Sequence, residues 1–233
     1  MRQHGVALGA IGLAIASAGI SGASTASKVE MTCPYDGTRF SFTRQSAGTS
    51  FDKTLDLRPL GAIVSPWPLA VCPTNGFVFL KPEYTEAEFE ALRPLILSRE
   101  YQALKGEAVY YRAAWVARRT GGTEDASWLL LQACWEAADQ PARFKRYAQE
   151  LLTTLVGTVE GQTDPKQRLI QNLLIGELRR RLGQFEAAKA HFTALRQEIA
   201  DRPELKIVDF QLGLIAAQDR AQHKLSEAFG LSR

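Results

Sequence analysis

Apolar side chains recur with a helical period through residues 169–195, and the rest of the chain can be read outward from this stretch. Leu169, Ile170, Leu173, Leu174, Leu178 and Leu182 stand at i, i+3 and i+4 spacings, so they share one helical face. Gly183 follows the last of them, at the position where a left-handed residue ends a helix without strain. A second helix then carries Ala187, Ala188, Phe192 and Leu195 inward. Small residues at Gly176 and Ala188 predict close backbone approach, with Phe192 filling the space beside them. Such a hairpin cannot bury its own apolar stripe and must stack on neighbours.

The same period extends on both sides. Thr85-x-x-Glu88 predicts a capping box at the head of a helix bearing Phe89, Leu92 and Leu95, and Pro94 kinks or ends that helix. Residues 101–119 predict one helix with Leu104, Ala108, Tyr111 and Trp115 inward, broken at Gly121 and Gly122. Thr123 or Asp125 caps the next, which carries Trp128, Leu131, Cys134, Trp135 and Ala138. Pro141 opens a helix through Phe144, Tyr147, Leu151, Leu152 and Leu155. Pro203 starts a last one with Leu205, Val208, Leu212, Ile215 and Ala216.

Before Lys81 the pattern changes. Two Cys-Pro-x-x-Gly turns, at Cys33 and 39 residues later at Cys72, each lead into a short strand. Phe40 and Phe42 alternate with Arg39, Ser41 and Thr43, and residues 77–80 form an apolar run. Proline fixes φ after each cysteine and the glycine supplies a positive φ, so both segments suit the same tight turn. That turn is a zinc knuckle when its fourth position is also cysteine. Here the fourth positions are Asp36 and Asn75, so two of four thiolates are missing. Cys33, Asp36 and Cys72 are the candidate zinc ligands, Asn75 being a poor one; apart from zinc no cofactor is expected. A Cys33–Cys72 disulfide and two separate buried thiols are the other arrangements. Residues 43–56, polar and rich in Ser and Thr, read as an exposed loop. Pro59, Pro66 and Pro68 imply an extended approach to the second turn. Trp67 among them either forms a recognition surface or covers a small core.

Arg2, an uncharged run of Gly, Ala, Ile and Leu to about Ile20, and small residues at Ser24 and Ala26 order themselves as a secretory signal peptide over residues 1–27. An uncleaved anchor is the rival reading. The run is short and Gly/Ala-rich against the roughly 20 apolar residues that a span requires, and no other segment suits a bilayer. The expected location is therefore a bacterial periplasm, with no membrane span after cleavage. That compartment favours the disulfide over the thiols. Hydrophobic content of 45% allows a sizeable core, and a net charge of +3 gives no electrostatic case for nucleic acid.

No catalytic residue emerges. His4 falls in the signal, and neither His191 nor His223 stands in a metal-ligand pattern; His191 reads as a surface residue. Cys134 lies on an apolar face between Leu131 and Trp135, as a small core residue does. Glu86, Glu88, Glu124 and Asp125 sit at helix starts, where they oppose the macrodipole. Arg118-Arg119 and Arg179-Arg180-Arg181 read as solvated helix faces, with Arg179 and Arg180 as candidates to hold a peptide carboxylate. Trp67 joins them as a possible partner contact.

Gly176, Gly183, Ala188, Phe192 and Leu195 stand at the spacings of tetratricopeptide repeats, which this stretch resembles; Ala114, Gly121, Ala126, Leu130 and Ala133 are a weaker echo. With Cys33, Pro34, Gly37, Cys72, Pro73, Gly76 and Phe77, the chain resembles the bacterial domain of unknown function 2225 family over most of residues 31–200. The resemblance implies a Cys-Pro-x-Cys pair at both turns, from which Asp36 and Asn75 depart, and a tetratricopeptide-like C-terminus; it implies no activity. The expected fold is mainly α: a right-handed helical-hairpin array over residues 83–233 behind a small β/knuckle module, residues 28–82, like a degenerate zinc ribbon. The expected function is a non-catalytic periplasmic scaffold that holds a protein or peptide in a groove. A metal-binding or thiol/disulfide redox module using Cys33 and Cys72 is the alternative.

Overall fold

The computed structural model describes residues 25–121 and 125–231. The expected signal up to Ser24, with His4, lies outside the described residues, as do Gly122, Thr123 and Glu124. Thr25, Ala26 and Ser27 begin the first strand.

Among the described residues, three two-stranded antiparallel sheets precede the helices. Strands β1 (Thr25–Thr32) and β2 (Arg39–Ala47) pair with Thr32 opposite Arg39 and Val29 opposite Phe42. The first Cys-Pro-x-x-Gly turn joins them. Strands β3 (Thr49–Lys53) and β4 (Pro59–Ala62) follow, then β5 (Ala70–Val71) and β6 (Val78–Phe79) around the second such turn. The expected loop at residues 43–56 is therefore mostly strand. Serines and threonines that suit a loop also suit an edge strand, and this ribbon is exposed on most positions. Its end is not exposed: Thr54, Leu55 and Asp56 are buried.

Eight α-helices make up most of the remainder among the described residues. Helix α1 (Glu86–Ile96) opens on the Thr85/Glu88 capping box and stops two residues after Pro94. The single helix expected over residues 101–119 is two. A one-turn α2 (Arg99–Gln102) is followed by turns, and α3 (Val109–Thr120) ends on left-handed Gly121. Side chains from the break are spent on the second knuckle, as described below. Asp125 caps α4 (Ala126–Glu136) by accepting from the Ser127 and Trp128 amides, and Pro141 opens α5 (Pro141–Thr158). Helices α6 (Pro165–Arg181), α7 (Phe185–Glu198) and α8 (Leu205–Ala216) complete the set, Pro203 lying in the turn before α8.

From α3 to α8 each helix packs on the next in chain order. One core joins α3, α4, α5 and α6 through Ala114, Leu130, Leu151 and Ile175, and a second joins α6, α7 and α8 through Phe192, Leu195 and Val208. Close approach is needed at Gly176, where a Cβ would stand 2.2 Å from the Phe192 ring. Gly183 takes the expected positive φ, 76°. Three residues of the expected apolar faces meet solvent instead: Trp128 is 46% exposed with its ring edge against Trp135, and Ala187 and Ala216 are exposed.

The strands are not a separate body. A third core holds Cys33, Cys72 and Phe77 together with Ile96, Tyr101 and Trp115 from α1, α2 and α3. The chain's end also returns. Residues 217–230 cross from α8 to β3, where Lys224 bridges Thr54 and the Leu55 amide donates to the His223 carbonyl at 2.9 Å.

Candidate functional site

The two knuckles repeat each other bond for bond. The Cys33 amide donates to the Thr38 carbonyl (2.8 Å), and the Cys72 amide to the Phe77 carbonyl (2.8 Å). Gly37 and Gly76 have φ of 70° and 76°, and each amide donates back to its cysteine carbonyl. At the fourth positions the short polar side chains fold over the turn: Asp36 Oδ1 accepts from the Thr38 amide and Asn75 Oδ1 from the Phe77 amide, both at 3.0 Å. Residues that replace thiolates in the zinc pattern thus rebuild the turn by their own hydrogen bonds.

A disulfide joins Cys33 and Cys72, with Cα atoms 5.4 Å apart. It lies buried among Phe77, Tyr101 and Trp115, and the Thr74 hydroxyl stands 3.0 Å from the Cys72 sulfur. That hydroxyl also donates to Asp36, whose carboxyl the Thr74 and Thr38 hydrogen bonds hold below the usual carboxylate range. Cys33, Asp36 and Cys72 are the one group of potential metal ligands among the described residues. They do not fit a structural zinc. Their sulfurs are bonded to each other, Asn75 Oδ1 is committed to the backbone, and a closed tetrahedral site needs four donors.

The helices hold the second knuckle by its carbonyls. Lys105 Nζ donates to the Thr74 carbonyl (2.7 Å), Gln102 to that of Asn75 (2.8 Å), and the Tyr101 hydroxyl to that of Gly76 (2.7 Å). Burial pushes Tyr101 up to about 12, so it remains a donor. Beside this seam a cavity of about 530 Å³ opens between β6, α1 and α3, lined chiefly by Leu80, Leu92, Leu95, Val116 and Ala117. The Lys81–Glu88 ion pair and Arg119, which stacks 3.6 Å from the Trp115 ring centre, border it.

The arginine triplet does not fan into solvent. Arg180 is fully buried: it pairs with fully buried Glu177 (2.8 Å), and Gln211 bridges the two. Its remaining donors reach the Asp219 and Ala221 carbonyls at 2.7 and 2.9 Å. Arg180 is therefore unavailable to a partner; it clamps the returning C-terminal segment. Burial drives the Glu177 carboxyl upward, against the pull of Arg180 and Gln211. Arg181 pairs with buried Asp56 at 2.8 Å, and Trp135 donates to the Asp56 carbonyl. Arg179 remains partly exposed and lines a different cavity beside His191. His191 itself is half-buried, its Nε2 2.8 Å from the Asn172 carbonyl, and burial lowers its pKa. Trp67 is 37% exposed and its carbonyl accepts from Tyr110. The structure thus brings together Cys33, Asp36 and Cys72 and leaves Arg179, Arg180 and Trp67 apart. Burial also raises the Cys134 thiol far above its ordinary value, as befits a core residue.

Glu177 and Gln211 are not legible in the sequence, because a polar residue within an apolar helix face reads as surface until its partner is known, and Asp56 stands in a turn whose composition reads as loop. The setting of His223 likewise depends on residues its sequence neighbourhood does not announce as partners. Its Nε2 lies 2.9 Å from Asp219 and its Nδ1 2.8 Å from Glu227. Both nitrogens can donate only in the imidazolium. Burial opposes that charge, but the two carboxylates hold the imidazole above its ordinary value and are themselves lowered. A raised pKa stabilises below the unfolded value of about 6.5 and is lost as pH rises through the folded one. Amide exchange in residues 219–230 is expected to quicken as pH rises across neutrality, after correction for intrinsic rates, and His223→Gln abolishes the change. Equal corrected rates on both sides of neutrality exclude this clasp.

No protein-family model, curated protein or solved structure matches the chain in these comparisons.

Proposed function

We propose that the chain is a non-catalytic interaction scaffold of the bacterial periplasm, in which α3 to α8 form a degenerate tetratricopeptide-like array capped by the knuckle module. The observation that carries this reading is the apolar cavity between β6, α1 and α3, open to solvent and bordered by an ion pair and an arginine. Such a site suits an aliphatic or aromatic anchor of a protein segment, with polar groups at the rim to orient it. In-order helix packing and the Gly176–Phe192 contact support the array, and the disulfide supports an oxidising compartment. The net charge of +3 favours a protein partner over nucleic acid. The likeness to the domain of unknown function 2225 family belongs to the same reading.

Exposed Ala91 lines the cavity and tests it. A photo-crosslinking side chain at Ala91 should capture a discrete partner from periplasmic extract. Val116→Glu, which places a charge in the cavity, should abolish that adduct. Identical adducts with and without Val116→Glu count against the groove.

The disulfide is the observation that favours a redox role instead. Exchange requires a thiolate to reach a sulfur, and both are covered, Cys33 being 1% and Cys72 0% exposed. Burial of this kind suits a staple.

A further inference from the structure

We propose that a second cavity, where α5 begins and α6 ends, binds a small oxyanion of the phosphate or phosphomonoester class. It measures about 300 Å³, and three of its seven lining residues are cations: Lys145, Arg181 and Arg220. They come from α5, α6 and the returning C-terminal segment, so the fold has to assemble the charge. No acidic residue among the described ones lines the cavity. Among the described residues, Lys145 and Arg220 make no ion pair, and the one acid engaged is Asp56, on Arg181.

Two independent features favour an anion there. The Arg181 side chain is nine-tenths buried, and although Nη1 reaches Asp56, its Nε has no hydrogen-bond partner. A buried guanidinium N–H without an acceptor is costly, and a ligand oxygen would supply one. Helix α5 begins at this cavity with Pro141 and has no side-chain cap, so the positive end of its 18-residue dipole is uncompensated by its own side chains there. Arg220 is held in place by other contacts, its guanidinium lying over the Phe185 ring (5.5 Å) and against Gly183, where a Cβ would stand 2.2 Å from Nη2. Phe144 and Leu182 complete the lining, the Phe144 ring lying under the Arg181 guanidinium at 4.1 Å. Forked donors, a lysine and a helix N-terminus together suit an oxyanion of the phosphate class.

The test is a titration of the oxidised full chain with inorganic phosphate, followed by amide chemical shifts. Saturable shifts at Ala142 and Arg143 in the low-millimolar range or below are expected. The double variant Lys145→Ala/Arg220→Ala should weaken binding by about tenfold or more. Lys166→Ala/Lys189→Ala, which removes two exposed charges elsewhere, should leave it unchanged. Absence of saturable shifts at the head of α5, or equal weakening in both double variants, overturns the proposal. Vesicles distinguish the source. Sedimentation with phosphatidylglycerol but not phosphatidylcholine vesicles, reversed by phosphate, assigns a lipid headgroup. Phosphate binding without sedimentation assigns a soluble phosphomonoester.

Discussion

Glu177→Leu is expected to cost about 3–5 kcal/mol, the loss that follows when one member of a buried ion pair is removed. For a chain of this size that is a fall in Tm of roughly 10 °C. The reason lies in what remains. Arg180 would keep its charge in a buried site, left with the Gln211 amide oxygen, two carbonyls and only the more distant Asp219 carboxylate at 3.9 Å. Arg180→Leu should cost less from the charge itself, since burial already drives Glu177 toward its neutral form. It should, however, free residues 219–221, visible as faster amide exchange there. Joint replacement of Glu177, Arg180 and Gln211 by Leu, Met and Leu should recover part of the loss, because an apolar cluster of similar volume replaces a desolvated one. Calorimetry on the three variants checks the order. If Glu177→Leu melts within a degree of the parent, the pair contributes no stability and the clamp on the C-terminal segment has another origin.

This network also marks the limit of what the sequence made legible. Leu174, Leu178, Phe192 and Leu195 were readable because an apolar residue at helical spacing has one good destination, and each is buried. Gly121, Gly183, Thr85 and Asp125 were readable because their backbone or capping needs are local. What failed depends on contacts made across the chain. Arg180 looked like its neighbours Arg179 and Arg181 until Glu177, Gln211 and the returning segment closed over it. The break after Gln102 could not be seen because Tyr101, Gln102 and Lys105 keep a helical period yet spend their polar ends on the Thr74, Asn75 and Gly76 carbonyls. Residues 43–56 carry loop-like composition, but Thr54 and Asp56 are fixed by partners well over a hundred residues later, Lys224 and Arg181. Of the candidate site, the two knuckles were legible as a repeated motif. The cavity beside them was not, since its walls come from three elements whose packing the sequence does not specify.

Loss of the Cys33–Cys72 bond has the other large expected effect. Its 39-residue separation corresponds to about 4 kcal/mol in the chain-entropy treatment. Cys33→Ala/Cys72→Ala should therefore melt well below the parent, and the parent in reductant should converge on it. The damage should not stay within the strands. Phe77, Ile96, Tyr101 and Trp115 share the core with the two sulfurs, so α1 to α3 should lose amide protection together with the knuckles. A thiol count supplies the control: one free thiol, Cys134, in the oxidised chain and three after reduction and unfolding. Zinc separates a staple from a displaced metal site. Reduction would free two thiolates beside Asp36, yet Asn75 Oδ1 bonds the Phe77 amide, and among the described residues no fourth ligand joins the group. Zinc added to the reduced chain is thus expected to leave Tm at the reduced value. Recovery of the oxidised Tm, with one zinc per chain by elemental analysis, would show that the knuckles still function as a metal site and that the disulfide is its oxidised form.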